Sequence, residues 1–142
     1  MIIQQKIPFR GCLVKNSVTQ PATAAATFFA NWDTSIYDTN GIKTSATRLT
    51  VPNNVSKIKL YGYISTYITV AFAYQCLYIY KNGAPILYAD KRLNSNSTYG
   101  MSCNISTPTL IVIPNDFFEL YVVFDNANQI DTTSYFGMEI IE

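Results

Sequence analysis

The sequence contains no histidine and few charged residues. Its 142 residues include ten Lys or Arg and nine Asp or Glu, so charged residues make up 13%, against about 25% in typical globular domains. Without histidine the chain lacks the commonest general base and the commonest metal ligand. We therefore expect no enzyme activity, no catalytic residues, no metal and no cofactor.

Basic clusters and long apolar runs are also missing. The formal net charge is +1 and the cationic residues are scattered along the chain, so we expect no nucleic-acid partner. No apolar stretch approaches the roughly 20 residues of a membrane helix, so we expect no membrane partner. The start, MIIQQKIPFRG, lacks the basic region and apolar run of a secretory signal.

Cysteine is scarce and unpatterned. Cys12, Cys76 and Cys103 lie far apart, and none belongs to a CxxC motif, which argues against a zinc site. An odd number of cysteines without a secretory signal favours free, buried thiols in a protein made in a reducing cytoplasm.

Aromatic and β-branched residues, by contrast, are abundant. Hydrophobic residues reach 49%, with 11 Tyr and 8 Phe, and they cluster between turn signals such as Asn40-Gly41, Asn82-Gly83 and Pro114–Asp116. This pattern predicts one all-β domain, an antiparallel sandwich of about nine or ten strands in two four- or five-stranded sheets. The predicted strands are residues 7–15, 26–32, a strand ending at Pro52, 57–67, 70–81, 84–92, 99–106, 109–113, 117–124 and 134–141.

Several predicted strands are apolar or aromatic on both faces. In the hairpin segment LYIYKNGAPILYA, Leu77 and Ile79 alternate with Tyr78 and Tyr80. One face can fill the interior of a sandwich, but the other would leave an apolar patch in water that monomers rarely carry. We expect another copy of the chain to cover it; the alternative is that loops of the same chain do so.

The order of the motifs resembles the jelly-roll superfamily of tumour necrosis factor and the globular heads of complement component one. The segments that carry the resemblance are WDTSIYDTNGIKTSATRLTVP, NNVSKIKLYGYIS, LYIYKNGAPIL, TPTLIVIPNDFFELYVVF and SYFGMEII. The family has glycine where this chain has Asn115, and again near Val55. Asn115 can still adopt a positive φ.

The segment PFRGCLVKNSVTQ, with the W-D…Y-D-T-x-G pattern that follows it, is similar to the bacteriophage branch of this superfamily. That branch supplies head decorations, head fibres and tail-fibre tips. The resemblance implies a homotrimer whose three-fold axis is lined by aromatic side chains from one sheet. The expected lining residues are Tyr61, Tyr63, Tyr78, Tyr80, Tyr121, Tyr135 and Phe136.

The predicted function is therefore structural: a capsid decoration, cement or head-fibre protein of a phage virion, made in the host cytoplasm and bound to the major capsid protein or another virion protein. Residues 8–142 would form the jelly-roll domain and residues 1–7 a docking segment. The expected capsid contacts in that segment are Met1, Ile2, Ile3, Gln4 and Gln5.

Two alternatives stay open. The chain could be a receptor- or carbohydrate-binding fibre tip that contacts a host surface glycan through Trp32, Tyr37, Asn96 and Tyr99. It could also be a secreted complement- or cytokine-like ligand module, which the missing secretory signal disfavours.

The acidic residues offer weaker alternatives. Asp33 and Asp38 could form a glycosidase-like carboxylate pair, but turn-forming aspartates bonded to the backbone are the favoured interpretation. Asp125 and Asp131 could help to bind calcium, although no dense DxDxDG loop is present. Cys76 could be a redox thiol, but burial in a strand would make it inert.

Overall fold

The computed structural model describes residues 9–22, 27–67, 74–92, 102–124 and 128–142. Within these ranges every regular element is a β-strand. The strands are β1 (Gly11–Lys15), β2 (Gln20–Ala22), β3 (Thr27–Phe29), β4 (Thr34–Asp38), β5 (Leu49–Thr50), β6 (Lys57–Tyr67), β7 (Tyr74–Lys81), β8 (Ala84–Arg92), β9 (Ser102–Ser106), β10 (Leu110–Ile111), β11 (Phe117–Phe124), β12 (Asn128–Ile130) and β13 (Tyr135–Ile140).

These strands form two antiparallel sheets. The first, sheet 1, has eight strands in the order β2-β12-β6-β13-β1-β4, with β9 and β10 also paired to β6. The second, sheet 2, has five strands in the order β3-β11-β7-β8, with β5 also paired to β11. Sheet 1 is larger than predicted because β6 is eleven residues long and pairs with four strands along its length.

The core lies between the two sheets and follows the period of two that a strand imposes on its side chains. In β6 the buried hydrophobic residues are Ile58, Leu60 and Ile64, as their alternation predicts. Gly62 occupies the same phase, and the Leu120 side chain fills the space beside it, since a Cβ there would lie 3.0 Å from Leu120 Cδ2. Sheet 2 contributes the other half of the core through Leu77, Ile79, Phe118, Leu120, Val122 and Phe124.

The long strands were the easiest to predict. The bounds of β6, β8 and β11 agree with the predicted residues 57–67, 84–92 and 117–124. The short strands β2, β4 and β12 were missed, because three to five residues carry too little alternation to stand out. Parts of the predicted strands 7–15, 26–32, 70–81 and 99–106 lie outside the described residues.

Asparagine takes the left-handed conformation at several turns. Asn82 and Gly83 have φ values of 51° and 84°, which matches the predicted two-residue hairpin between β7 and β8. Asn115 has φ of 71°, so it does adopt the glycine-like conformation expected of it. Asn54, with φ of 63°, does the same just before Val55, where the family has glycine.

One buried carboxylate, that of Asp116, joins the β7–β8 hairpin to the turn before β11. Asp116 accepts hydrogen bonds from the Ile113 amide at 3.0 Å and from Asn82 Nδ2 at 2.8 Å. Its Oδ2 lies 2.8 Å from Lys81 Nζ, and Asn82 Oδ1 in turn accepts the Phe117 amide at 2.9 Å. Burial alone would raise the pKa of Asp116, but the bonds from Lys81, Asn82 and Ile113 outweigh it and lower the pKa.

We expect Asp116→Asn to lower the free energy of unfolding by about 1–3 kcal/mol at pH 7, because charge-assisted hydrogen bonds are lost. A carboxylate whose pKa is lowered by folding stabilises the native state above its unfolded pKa. That contribution disappears as the pH falls through the pKa of the carboxylate in the folded state. The difference between wild type and variant should therefore be full at pH 7 and shrink below about pH 4, as measured by urea unfolding.

Glu142→Gln is the matched control, because it removes the exposed ion pair between Glu142 and Lys57. Exposed pairs contribute little, so this variant should change stability by less than about 0.5 kcal/mol. If the loss of unfolding free energy in Asp116→Asn stayed constant from pH 7 to pH 3, the ionised Asp116 carboxylate would not be the source of the stabilisation.

Candidate functional site

The seven side chains predicted to line one axis lie on different surfaces. Tyr61, Tyr63 and Tyr135 belong to β6 and β13 of sheet 1. The other three tyrosines, on β7 and β11, belong to sheet 2. Because the core separates the two sheets, the outward faces point in opposite directions, and a single axis cannot be lined by both sets.

Phe136 was assigned to the wrong face. It is 0% exposed and stacks on Trp32 with ring centroids 6.2 Å apart. It shares a strand phase with Met138 and Ile140, both of which are also buried, so its side chain belongs to the core. The same stack corrects the prediction for Trp32, which is 1% exposed and therefore cannot present its ring to a glycan.

Sheet 1 carries the first aromatic surface, here called the β6–β13 tyrosine cluster (Tyr37, Tyr61, Tyr63 and Tyr135). Tyr63 and Tyr135 are directly opposite in the strand register, and their rings stack at 5.4 Å and 22°. The Tyr61 and Tyr135 rings meet edge to face at 6.3 Å. Tyr135 is 36% exposed, so the cluster is ordered by ring contacts but remains open to solvent.

Gly137 leaves the space that the Tyr61 ring occupies. It lies opposite Tyr61 in the register, and a Cβ added there would lie 2.4 Å from the tyrosine ring. The ring therefore lies flat over the neighbouring strand, and its hydroxyl reaches the hydroxyl of Tyr37 at 3.1 Å. Burial, and then the hydrogen bond with Tyr37, raise the pKa of Tyr61 above its ordinary value, so the Tyr61 hydroxyl stays protonated at neutral pH.

Tyr37 was predicted as a glycan contact, but its side chain is occupied within the chain. Its hydroxyl pairs with Tyr61, and its ring meets Phe9 edge to face at 5.2 Å. The remaining predicted glycan residues, Asn96 and Tyr99, lie outside the described residues, as do the predicted capsid contacts Met1 to Gln5.

Sheet 2 carries the second aromatic surface, here called the aromatic row (Phe29, Tyr121, Tyr78 and Tyr88). Phe29 is opposite Tyr121, Tyr121 is opposite Tyr78, and Tyr78 is opposite Tyr88. The successive ring centroids are 5.0, 6.1 and 5.8 Å apart, within the range of favourable aromatic pairs. One line of rings thus crosses β3, β11, β7 and β8.

A loop of the same chain covers one end of sheet 2. Glu119 Oε1 accepts hydrogen bonds from Thr47 Oγ1 at 2.6 Å and Arg48 Nε at 3.3 Å, and the Arg48 guanidinium lies 4.2 Å from the centre of the Phe117 ring. The loop leaves Tyr88, at the outer end of the aromatic row, 65% exposed. A loop of the same chain therefore covers part of the outward face of sheet 2. The aromatic row remains available to a partner.

The acidic residues serve as turn and loop ligands. Asp38 accepts the Ile42 and Lys43 amides, and Asp33 accepts the Ser17 amide, as the favoured interpretation predicted. They stand at opposite ends of β4, roughly 15 Å apart along an extended strand, whereas paired glycosidase carboxylates are separated by roughly 5–9.5 Å. Asp131 accepts the Thr133 amide, and Asp125 lies outside the described residues.

The three cysteines are buried and form no disulfide, as predicted. Burial, followed by the charge of Asp38, raises the pKa of Cys12 to about 12, which suppresses the reactive thiolate. Cys76 is 1% exposed, and a hydrogen bond with its side chain raises the pKa of Tyr78.

In the described ranges no three His, Cys, Asp or Glu side chains come together in an arrangement that could hold a metal ion, and no helix is long and apolar enough to cross a membrane.

Known structures with the same architecture are numerous. A tumour necrosis factor, Eiger from S. frugiperda, aligns at a TM-score of 0.69 and 13% identity over 95% of this chain and 94% of its own. Murine APRIL aligns at 0.68 and 9% identity over 94% of this chain and 100% of its own. The globular domain of zebrafish complement 1qA aligns at 0.64 and 14% identity over 94% and 98%.

These alignments confirm the predicted jelly-roll fold of the tumour necrosis factor and complement-head type. No protein-family model matches the sequence, and no curated protein matches it either. At such low identities the likeness establishes the fold alone. The bacteriophage branch of the superfamily stays a prediction.

We expect Gly137→Ala to destabilise the domain by about 1–3 kcal/mol, because the new methyl group would displace the Tyr61 ring. In a Tyr61→Ala background the ring is absent, so the same substitution should cost much less. A double-mutant cycle measured by urea unfolding isolates this coupling. Equal costs in the two backgrounds would show that Gly137 is required for some other reason.

Proposed function

We propose that this chain is a non-enzymatic structural protein that acts as a homotrimer, in which the β6–β13 tyrosine cluster lines the three-fold axis. The observation that carries the proposal is the position of Tyr61, Tyr63 and Tyr135 of the cluster on two adjacent central strands of sheet 1. Partly exposed stacked tyrosines in the middle of a sheet form an apolar patch that association would remove from water.

Sheet 1 is a better choice than sheet 2 for the axis. Around a three-fold axis each chain presents the same patch. A compact patch near the middle of a sheet can therefore pack against the same patch on the two other chains. The Tyr63–Tyr135 stack and the flat Tyr61 ring form such a patch. The aromatic row, in contrast, ends at the edge strand β8, and a loop of the same chain already covers the other part of its sheet.

The proposed setting is a bacteriophage virion, where the trimer would act as a capsid decoration, cement or head-fibre protein. The support is the similarity of residues 8–20 and 32–41 to the phage branch of the superfamily. The partner would be the major capsid protein or another virion protein, and residues 1–7 would dock on it, for example by adding a strand to an open sheet edge.

A secreted ligand module is the second candidate, because tumour necrosis factor and complement proteins are among the structures with this fold. The cysteines favour the virion proposal. No disulfide joins Cys12, Cys76 and Cys103, whereas secreted domains of this size commonly form disulfides. The fibre-tip alternative included Trp32 among its glycan contacts, but the Trp32 ring is buried and cannot contact a glycan.

We expect sedimentation velocity to give a particle of three 15.9 kDa chains. Tyr135→Arg should convert it to a folded monomer, because three like charges would meet near the axis. Tyr88→Arg is the matched control, with the same substitution on the outward face of sheet 2, and it should remain trimeric. A monomeric Tyr88→Arg with a trimeric Tyr135→Arg would place the axis on sheet 2, and a monomeric wild type would exclude the trimer.

We also expect deletion of Met1 to Gln5 to leave the trimer folded but abolish attachment to capsids. The measurement is co-sedimentation of purified trimer with capsids that lack the protein, with the Tyr88→Arg variant as a control that should attach normally. Attachment of the truncated chain at wild-type levels would rule out the docking segment.

A further inference from the structure

A pocket opens at one end of sheet 1, beside the β1–β4 strand pair. It lies between the segment that follows β1 and the segment that precedes β4, and its volume is about 210 Å³. It is smaller than the roughly 300–1,000 Å³ of sites for drug-sized ligands. The residues that line it are Asn16, Val18, Thr19, Gln20, Pro21, Asn31 and Asp33.

The two walls of the pocket are tied together by side chains that bond to the backbone opposite. Gln20 Oε1 accepts the Asn31 amide at 2.9 Å. Asp33 Oδ1 accepts the Ser17 amide at 2.7 Å, and Asp33 Oδ2 accepts Ser17 Oγ at 2.7 Å. The walls are therefore held in position without any ligand, which lowers the ordering cost of binding.

A buried polar group at the pocket is left unsatisfied. Asn16 is 3% exposed, and its Nδ2 donates to the Val18 carbonyl at 2.8 Å. Its Oδ1 accepts no hydrogen bond from the described residues. Buried acceptors are nearly always paired, so a lining residue with an unused acceptor indicates a site that is completed by something other than the described residues.

The remaining lining groups define the chemistry of the ligand. Asp33 is the one charged side chain among the lining residues. Hydrogen bonds from Ser17 and Thr34 lower its pKa, so it is an ionised acceptor at neutral pH that disfavours anions. Asn31 and Gln20 contribute amides that can both donate and accept, and Thr19 a hydroxyl. Val18 and Pro21 add apolar surface.

We propose that this pocket binds a single neutral sugar residue. Neighbouring hydroxyl groups on a sugar ring each donate one hydrogen bond and accept others, which matches a carboxylate beside amides. The carbon face of the ring matches Val18 and Pro21. The pocket volume suits one ring and not an extended chain. This inference does not rest on the trimer or on the virion role, because every residue that lines the pocket belongs to one chain and none is a member of the tyrosine cluster.

The test is a titration of the full-length ¹⁵N-labelled protein, followed by amide chemical shifts, with the methyl glycosides of glucose, galactose, mannose and N-acetylglucosamine. For a ligand of this size we expect a Kd on the order of 1 mM for at least one glycoside. The amide shifts should be confined to residues 16–20 and 31–33.

Two variants test the assignment of the contacts. Asn31→Ala removes the amide side chain but keeps the backbone bond to Gln20, and Asp33→Asn removes the charge; each should weaken binding about tenfold or more. Asp131→Asn is the matched control, since Asp131 also holds a turn through its carboxylate but does not line the pocket, and it should bind as wild type does.

Several results would overturn the proposal. One is the absence of pocket shifts with all four glycosides at about ten times the expected Kd. Another is a set of shifts centred on the aromatic row, which would place sugar binding on sheet 2. A third is unchanged affinity in Asn31→Ala when its amide spectrum shows the native fold.

Discussion

The alternation of side chains along four central strands is the constraint on which this structure depends. In β6, β7, β11 and β13 one phase is mostly aliphatic or phenylalanine and fills the core, while the other phase carries the tyrosines. A shift of register by one residue would exchange the two sets. Burying the first phase between two sheets necessarily turns the second outward, so the domain has one apolar core and two aromatic outer surfaces.

The outer surfaces are ordered in different ways, and the difference bears on how each can be used. On sheet 1 a glycine, Gly137, lets the Tyr61 ring cross to the neighbouring strand and reach Tyr37, which makes a compact, flattened patch suited to packing against copies of itself. On sheet 2 the strand register alone aligns Phe29, Tyr121, Tyr78 and Tyr88. The result is a line of rings that extends to the sheet edge.

Polar residues in the described ranges are used mainly to hold turns and loops. Asp38, Asp116 and Asp131 accept backbone amides, and Glu119 holds a loop over sheet 2. Such contacts satisfy backbone groups that no strand pairs. Asn16 differs from them, because its buried Oδ1 has no partner among the described residues. This unpaired acceptor distinguishes the polar pocket from an ordinary loop.

Local pattern determined the strand phases, the Asn82-Gly83 turn, the positive φ of Asn115 and the buried cysteines, because a period of two and turn chemistry act between near neighbours in the chain. It also placed Phe136 in the same phase as Met138, although the residue was then assigned to the surface. Only the tertiary structure divided the tyrosines between two opposite faces, buried Trp32 and formed the pocket. Those outcomes depend on which distant strands pair, as when β6 meets β13, and the energy of such pairing lies in contacts that no short stretch of sequence contains.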